Sequence, residues 1–149
     1  MGYYLSAFVG KSKDLECIHE SYETAIIIEL GQGLSLIPLT EELFDRINNF
    51  VVSGNINTFE YLTLTIEREI LKIIEGKAIA YVEAEYFGGE GGQRGIVWKD
   101  GKRSSEFKYG QDVINAILKS FGVVADKNED EFRTLGFGRH RNTQDWVDE

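Results

Sequence analysis

The stretch KAIAYVEAEYFGGEGGQRGIVWK, residues 77–99, decides the predicted fold, because it is typical of a β-hairpin with a glycine-rich tip. Side chains alternate between the two faces of a strand. One face of the first strand is small and apolar, and we expect it to meet the core: Ala78, Ala80, Val82, Ala84 and Tyr86. If residues 88–92 form the loop, Glu85 pairs with Gly95 and Val82 pairs with Trp98. The sequence therefore predicts a hairpin with a five-residue tip and with Glu83 and Glu85 on its other face.

Glu83 and Glu85 are the candidate chemical groups of this hairpin, and two interpretations stay open. They could form a shallow site as acid/base groups or metal ligands, beside Gln93 and an open space above the opposing glycine. They could equally form the solvated outer face of an antiparallel sheet. The tip lacks the helix and the Lys-Ser/Thr pair that follow a phosphate-binding loop. We therefore interpret Phe87, the glycines and Glu90 as a binding tip or a flexible turn.

The rest of the chain mixes short strands and amphipathic helices without a regular βαβ rhythm. Thr40, Asn57 and Asn128 stand where they would cap the starts of helices, and a further helix is predicted over 112–121. Strands are predicted over 3–10, 25–30, 34–39 and 103–109, and a loop with a short helical turn over 11–22. The sequence predicts one α+β domain over residues 1–149, an antiparallel sheet with helices packed on one face.

Composition and charge exclude several classes of function. The 149 residues carry a net charge of −9, and residues 1–75 hold 5 Lys/Arg against 12 Asp/Glu. We expect no nucleic-acid partner, because a basic footprint is missing, and no membrane partner, because no apolar run is long enough to cross a bilayer. The acidic surface favours a basic protein partner. The single cysteine, Cys17, excludes an intramolecular disulfide, and we expect a cytoplasmic protein without a cofactor.

A second unusual stretch, DEFRTLGFGRHRNTQDW at residues 130–146, concentrates aromatic and basic side chains near the C-terminus. In one interpretation its aromatic residues, Trp146 among them, anchor a tail to the core, and Arg139 or Arg141 pairs with Glu83, Glu85 or Asp145, since arginine suits bidentate carboxylate pairing. In the other, His140 is a general acid/base oriented by a hairpin glutamate, or binds a divalent metal with both glutamates. The spacing of the histidines matches no metal-binding motif, so we expect no metal site.

Three strings of this sequence resemble a family of small bacterial proteins. They are YVEAEYFGGEGGQRGIVW at 81–98, INAILKSFGV at 114–123 and DEFRTLGFGRHRNTQDW at 130–146, so that the resemblance covers residues 77–147. That family is uncharacterised, and similar small acidic proteins serve as immunity proteins in bacterial toxin systems. The resemblance implies a protein that neutralises a toxin, and it assigns no activity to any residue.

Two hypotheses of function follow. The first is a non-catalytic binding protein, for example an immunity protein that neutralises a toxin through an acidic surface. The alternative is a small enzyme or ligand-binding protein with its site between the Glu83/Glu85 hairpin and the Arg139-His140-Arg141 segment. No catalytic residue is assigned, and Glu83, Glu85 and His140 are the candidates; the oligomeric state is left open. The residues expected at a binding site are Glu83, Glu85, Phe87, Glu90, Gln93, Arg139, His140, Arg141 and Trp146.

Overall fold

One antiparallel sheet runs through the protein, with the first strand of the chain and the first strand of the hairpin at its centre. The computed structural model describes residues 2–51 and 53–148. The strands are β1 (Gly2–Lys11), β2 (Ile28–Gly31), β3 (Leu34–Pro38), β4 (Ala78–Phe87), β5 (Glu90–Lys99) and β6 (Lys102–Gly110). Their order across the sheet is β2-β3-β1-β4-β5-β6. The predicted α+β class with an antiparallel sheet is confirmed.

The first three helices of the chain lie in connections between strands, and the later helices follow the last strand. They are α1 (Ser12–Ser21), α2 (Glu41–Asn48), α3 (Leu64–Ile73), α4 (Val113–Ser120) and α5 (Glu131–Thr134), followed by 3₁₀ turns at Phe137–Arg139 and Thr143–Trp146. The hydroxyl of Thr40 accepts a hydrogen bond from the Leu43 amide and so caps α2 as predicted. In the described part of the chain, no helix combines the length and the apolar character that crossing a membrane requires.

Both faces of the sheet are covered, so the prediction that helices pack on one face is wrong. The first core cluster joins one face to α1, α2 and α3 and includes Phe8, Tyr81 and Trp98. The second joins the other face to α4, α5 and the C-terminal residues and includes Val82 and Trp146. The side chains on both faces of β4 are apolar over its first half. This pattern is typical of a strand that is buried on both faces and has no polar outer side. We refer to these as the first and the second face.

The hairpin turns at two residues, and the predicted five-residue tip is wrong. Gly88 and Gly89 have φ values of 62° and 82°, and two consecutive positive φ angles are what a tight type I′ hairpin turn requires. Phe87 therefore lies opposite Glu90, and every partner of β4 moves by three residues from the predicted register. Because the shift is odd, residues of β5 also change faces. This change brings Arg94 opposite Glu83.

Three local predictions also need correction. Most of residues 11–22 form the regular helix α1, Ser12–Ser21, with Leu15 and Ile18 buried on one of its sides. Asn57 does not begin a helix; its φ is 45°, and α3 begins instead after Thr63, whose hydroxyl accepts from the Ile66 amide. The short helix α5 is capped by Asp130 rather than by Asn128. Several Asn, Asp and Thr residues near each helix start could act as the N-cap, and the tertiary fold determines which of them does.

The C-terminal residues complete the sheet beside the first half of β1. β3 pairs with β1 only from Ala7 to Lys11, which leaves the earlier residues of β1 with a free edge. The Tyr4 amide donates to the Arg141 carbonyl at 2.7 Å, and the Ser6 amide donates to Thr143 Oγ1 at 3.0 Å. The chain end therefore satisfies backbone groups that β3 does not reach.

Candidate functional site

A cavity of about 750 Å³ opens on the first face, at the end of the sheet where β1 begins. Its floor is formed by residues of β1 and β4, among them Ser6 and Glu83. Its walls come from the N-terminal half of α2, from Glu60 and Tyr61 in the α2–α3 connection, and from residues 143–144. The volume lies in the range of sites for small ligands or for a projecting side chain. We call this cavity the β1–α2 pocket.

Glu83 is the buried acid of the pocket, with 3% of its surface exposed. Its carboxylate accepts hydrogen bonds from the Glu60 amide at 2.7 Å, from the Tyr61 amide at 2.9 Å and from the Tyr81 hydroxyl at 2.6 Å. Burial raises the pKa of Glu83, while these three donors and the charge of Arg94 act in the opposite direction. Glu83 thus fixes the position of the segment that forms one wall of the pocket.

The Tyr81 hydroxyl remains protonated beside this carboxylate. Burial raises the pKa of Tyr81 well above its ordinary value, and the charge of Glu83 raises it further. Tyr81 and Glu83 share the first face because they stand two residues apart in β4. The Tyr81 ring belongs to the apolar core of this face, and the next side chain on it is the carboxylate of Glu83. The buried carboxylate is therefore supplied with donors by its own strand and by the neighbouring loop.

Glu85 and Arg94 form the wall of the pocket toward β5. Arg94 Nη1 donates to Glu85 Oε1 at 3.0 Å, and the Arg94 guanidinium lies 4.7 Å from the centre of the Tyr109 ring. The residue opposite Glu85 is Gly92, not Gly95, and a Cβ atom at Gly92 would lie 2.5 Å from Cζ of Tyr109. The predicted open space above a glycine is thus filled by this ring.

Aromatic rings line the mouth of the pocket. Phe44 and Tyr61 meet edge to face with their ring centres 6.5 Å apart. Tyr61 is 54% exposed and Tyr4 is 44% exposed. Rings that are half exposed present apolar faces to solvent and can stack with a planar or cationic group.

Carboxylates stand beside these rings at the rim. Glu41 and Asp45 lie on α2, and Glu60 lies in the opposite wall. Within residues 2–51 and 53–148, none of the three takes part in an ion pair. Among the described lining residues the one cation is Arg94, which is already paired with Glu85. The rim therefore carries an uncompensated negative charge.

The C-terminal group of predicted site residues lies on the other side of the sheet. His140 contacts Trp146 with ring centres 4.9 Å apart, and the Arg139 guanidinium lies 5.3 Å from the Trp146 ring. Trp146 belongs to the core of the second face, whereas Glu83 bonds to Tyr81 on the first. The sheet separates His140 from the hairpin glutamates, and the predicted acid/base pair and metal triad are wrong.

The prediction that a C-terminal arginine pairs with a hairpin glutamate is wrong as well. Glu83 takes its donors from Tyr81 and the 60–61 backbone, and Glu85 pairs with Arg94. The predicted tail anchor is confirmed in part, because Trp146 is fully buried. No group of three His, Cys, Asp or Glu side chains arranged for a metal ion occurs among the residues that the structure describes.

The remaining predicted site residues are scattered. Gln93 and Arg141 line a second cavity of about 390 Å³, where Gln93 Nε2 donates to the Tyr86 hydroxyl at 3.0 Å and Gln93 Oε1 accepts from the Ile114 amide at 2.8 Å. Phe87 and Glu90 are exposed at the hairpin turn. The nine predicted residues thus divide among the pocket, the second cavity, the turn and the C-terminal core, and they do not form one site.

Several pocket residues carry no strong signal in the sequence. Phe44 and Tyr61 follow the ordinary pattern of amphipathic elements, and Asp45 and Glu60 are single acids among many. Arg94 is detectable once the turn is assigned to Gly88-Gly89, because the register then places Arg94 opposite Glu83. The aromatic-acid pairs, Phe44-Asp45 and Glu60-Tyr61, come together only when the α2–α3 connection folds back on β4.

Comparison with known proteins gives no relative for this arrangement. No protein-family model, no curated protein and no solved structure matches the chain.

Proposed function

We propose that the protein is a non-catalytic binding protein that neutralises a basic protein partner, in the manner of an immunity protein acting on a toxin. The observation that carries the proposal is the rim of the β1–α2 pocket, where Glu41, Asp45 and Glu60 lie near aromatic rings and pair with no cation among the described residues. The net charge of −9 acts in the same direction. Complementary charge accelerates encounter with a basic protein and gives the association its selectivity.

Exposed apolar residues after α2 and at the start of α3 support an interface between proteins. Phe50 is 70% exposed, Val51 66% and Leu64 57%. The Phe50 amide donates to the Asp45 carbonyl at 2.9 Å, so the exposed Phe50 directly follows the helix that carries two of the rim acids. Apolar residues next to charged ones are typical of binding surfaces, since the contact needs both a desolvated centre and a polar margin.

Capture from the lysate of the source cell, with matched charge variants, tests this proposal. The rim variant carries Glu41→Lys, Asp45→Lys and Glu60→Lys. The control carries Glu16→Lys, Glu20→Lys and Glu23→Lys, which are exposed and make the same change in net charge on and after α1. We expect wild type and control to retain the same basic protein at low salt and to lose most of it at high salt, because screening weakens exposed charge pairs.

The rim variant should lose the captured protein even at low salt. Equal capture by both charge variants would mean that the rim has no special role in attracting the protein. Retention that does not depend on salt, or recovery of acidic proteins only, would contradict a basic partner. Purified captured protein then serves for measuring association rates, which should fall with ionic strength.

A second candidate function, a small enzyme or ligand-binding site, has one specific observation in its favour. A buried carboxylate with a raised pKa, Glu83, lines the β1–α2 pocket, and such groups are enriched at functional sites. Against it, three donors already occupy the Glu83 oxygens. A thermal-shift screen of small metabolites tests this candidate; a ligand that stabilises wild type but not Glu83→Gln would favour it over a protein partner.

A further inference from the structure

We propose that the β1–α2 pocket receives one arginine side chain, carried on a projecting loop of the basic protein partner. This inference rests on the proposed function and adds to it the side chain that enters and the place where it is held. The cavity is open to the surface and has a rim of unpaired carboxylates. Its occupant is identified by charge complementarity and by the shape of the aromatic mouth.

The excess of carboxylates around the pocket favours a cation as its occupant. Five carboxylates line it, against the single guanidinium of Arg94: Glu41, Asp45, Glu60, Glu83 and Glu85. Arg94 is paired with Glu85, and the buried Glu83 is supplied by three donors. The negative charge that remains lies on the rim, at Glu41, Asp45 and Glu60, and a cation that enters from outside would lower its mutual repulsion.

The aromatic groups favour a guanidinium over an ammonium group. Asp45 directly follows Phe44, and Glu60 directly precedes Tyr61, so the edge-to-face contact of the two rings brings their acidic neighbours to the same opening. A guanidinium can bond to a carboxylate in its plane and stack on a ring with its face. Arg94 already does both in the pocket wall, with Glu85 and with Tyr109.

The interior suits the aliphatic stem of the entering side chain. Leu39 of the first core cluster lines the pocket together with the Phe44 and Tyr61 rings and gives it apolar surface. A long side chain with an apolar stem and a charged head buries the stem and keeps the head at the polar margin. A single anchor of this kind, seated in a pocket, is the usual form of an interface hot spot.

The first test uses a small probe and does not need the partner. Nα-acetyl-arginine amide is titrated into the full chain, labelled for NMR, beside Nα-acetyl-lysine amide and Nα-acetyl-norleucine amide. We expect saturable shifts at the amides of Asp45, Glu60 and Tyr61, with a dissociation constant on the order of 1 mM. The lysine probe should bind more weakly, and the norleucine probe should leave these amides unchanged.

The matched variants are nearly isosteric. Asp45→Asn with Glu60→Gln should weaken the arginine probe by roughly tenfold, since both charge partners are removed. Glu16→Gln with Glu20→Gln removes the same charge from α1 and should leave binding unchanged. Thermal unfolding of each variant shows that the fold is retained. Shifts outside the pocket, equal shifts from norleucine, or affinity that the rim pair does not change would overturn the proposal.

The second test separates this proposal from the proposed function. The same two pairs of variants are used to capture the basic protein, and capture should fail only for Asp45→Asn with Glu60→Gln. Capture that this pair does not affect overturns the arginine pocket and leaves the protein-binding function in place. Binding of the arginine probe in the pocket without any basic protein in the capture overturns the proposed function instead, and with it the partner as the source of the side chain.

Discussion

The two faces of the sheet differ at the end where β1 begins, although the same two strands form both. On the second face, the C-terminal residues place Phe137 and Trp146 on the strands, and both are fully buried. On the first face, α2 and the α2–α3 connection stop short of the strand ends and leave the β1–α2 pocket open. The site therefore arises where a face lacks cover, and not where unusual sequence is concentrated.

Truncating the residue that closes the second face should have the largest effect. Trp146→Ala removes a fully buried ring and should lower the free energy of unfolding by about 3–5 kcal/mol, because it leaves a cavity. Tyr61→Ala on the open face removes a ring that is 54% exposed and should cost about 1 kcal/mol or less. Urea denaturation measures both, and similar losses would mean that the first face is as closed as the second.

Removing the buried carboxylate of the pocket should have the next largest effect. Glu83→Ala leaves two backbone amides and the Tyr81 hydroxyl without their acceptor and should cost about 1–3 kcal/mol. Glu85→Ala, which breaks a partly exposed pair with Arg94, should cost about 1 kcal/mol or less. Hydrogen exchange at the Glu60 and Tyr61 amides should accelerate in the first variant only; unchanged exchange would contradict the role of Glu83 in holding this wall.

A pair of glycine substitutions compares how tightly each face is packed against β5. A Cβ atom at Gly95 would lie 2.5 Å from Ile117 Cδ1 and 2.9 Å from Val113 Cγ1, both on α4 of the second face, so Gly95→Ala should cost about 1–3 kcal/mol through overpacking. At Gly92 the obstacle is the Tyr109 ring, which is 48% exposed and can turn toward solvent. Gly92→Ala should therefore lower the free energy of unfolding less than Gly95→Ala does. Thermal unfolding of the two variants measures this difference, and an equal or larger loss for Gly92→Ala would mean that Tyr109 is held rigidly.

The smallest effect concerns the dependence of stability on pH. Burial raises the pKa of folded Glu83 above its ordinary value of 4.5, so between the two values the folded state binds more protons than the unfolded state. The cost of burying this charge is then relieved as pH falls through the folded pKa toward 4.5. Relative to Glu83→Gln, wild type should gain stability over that interval.

Glu67 supplies a control of opposite sign. Hydrogen bonds from Arg103 and Trp98 lower its pKa in spite of partial burial, so its contribution to stability is complete above 4.5 and is lost as pH falls through the lower, folded value. The free energy of unfolding is measured across pH for wild type, Glu83→Gln and Glu67→Gln. The stability change due to Glu83 should occur above pH 4.5, and the change due to Glu67 should occur below pH 4.5. A difference between wild type and Glu83→Gln that stays constant above 4.5 would contradict the raised pKa.

Local sequence patterns predicted much of the fold and little of the site. The predicted strand over 3–10 corresponds to β1 and the capped start of α2 is as expected, because both depend on neighbouring residues. The most consequential wrong prediction is the five-residue tip in place of the turn at Gly88-Gly89. Four glycines allow several turn lengths, and the pairing of ten residues on each strand selects one of them. The error concealed Arg94 and suggested an open space that Tyr109 fills.

By itself, the sequence determined the class of fold, the acidic charge and the presence of a hairpin, because alternation, capping and composition act over a few residues. Only the tertiary structure decided which face of the sheet received the C-terminal aromatic residues and which remained open. It separated His140 from Glu83 with the sheet and joined Phe44-Asp45 to Glu60-Tyr61 across a cavity. Contacts between residues far apart in the chain depend on how whole elements pack, and no local pattern encodes them.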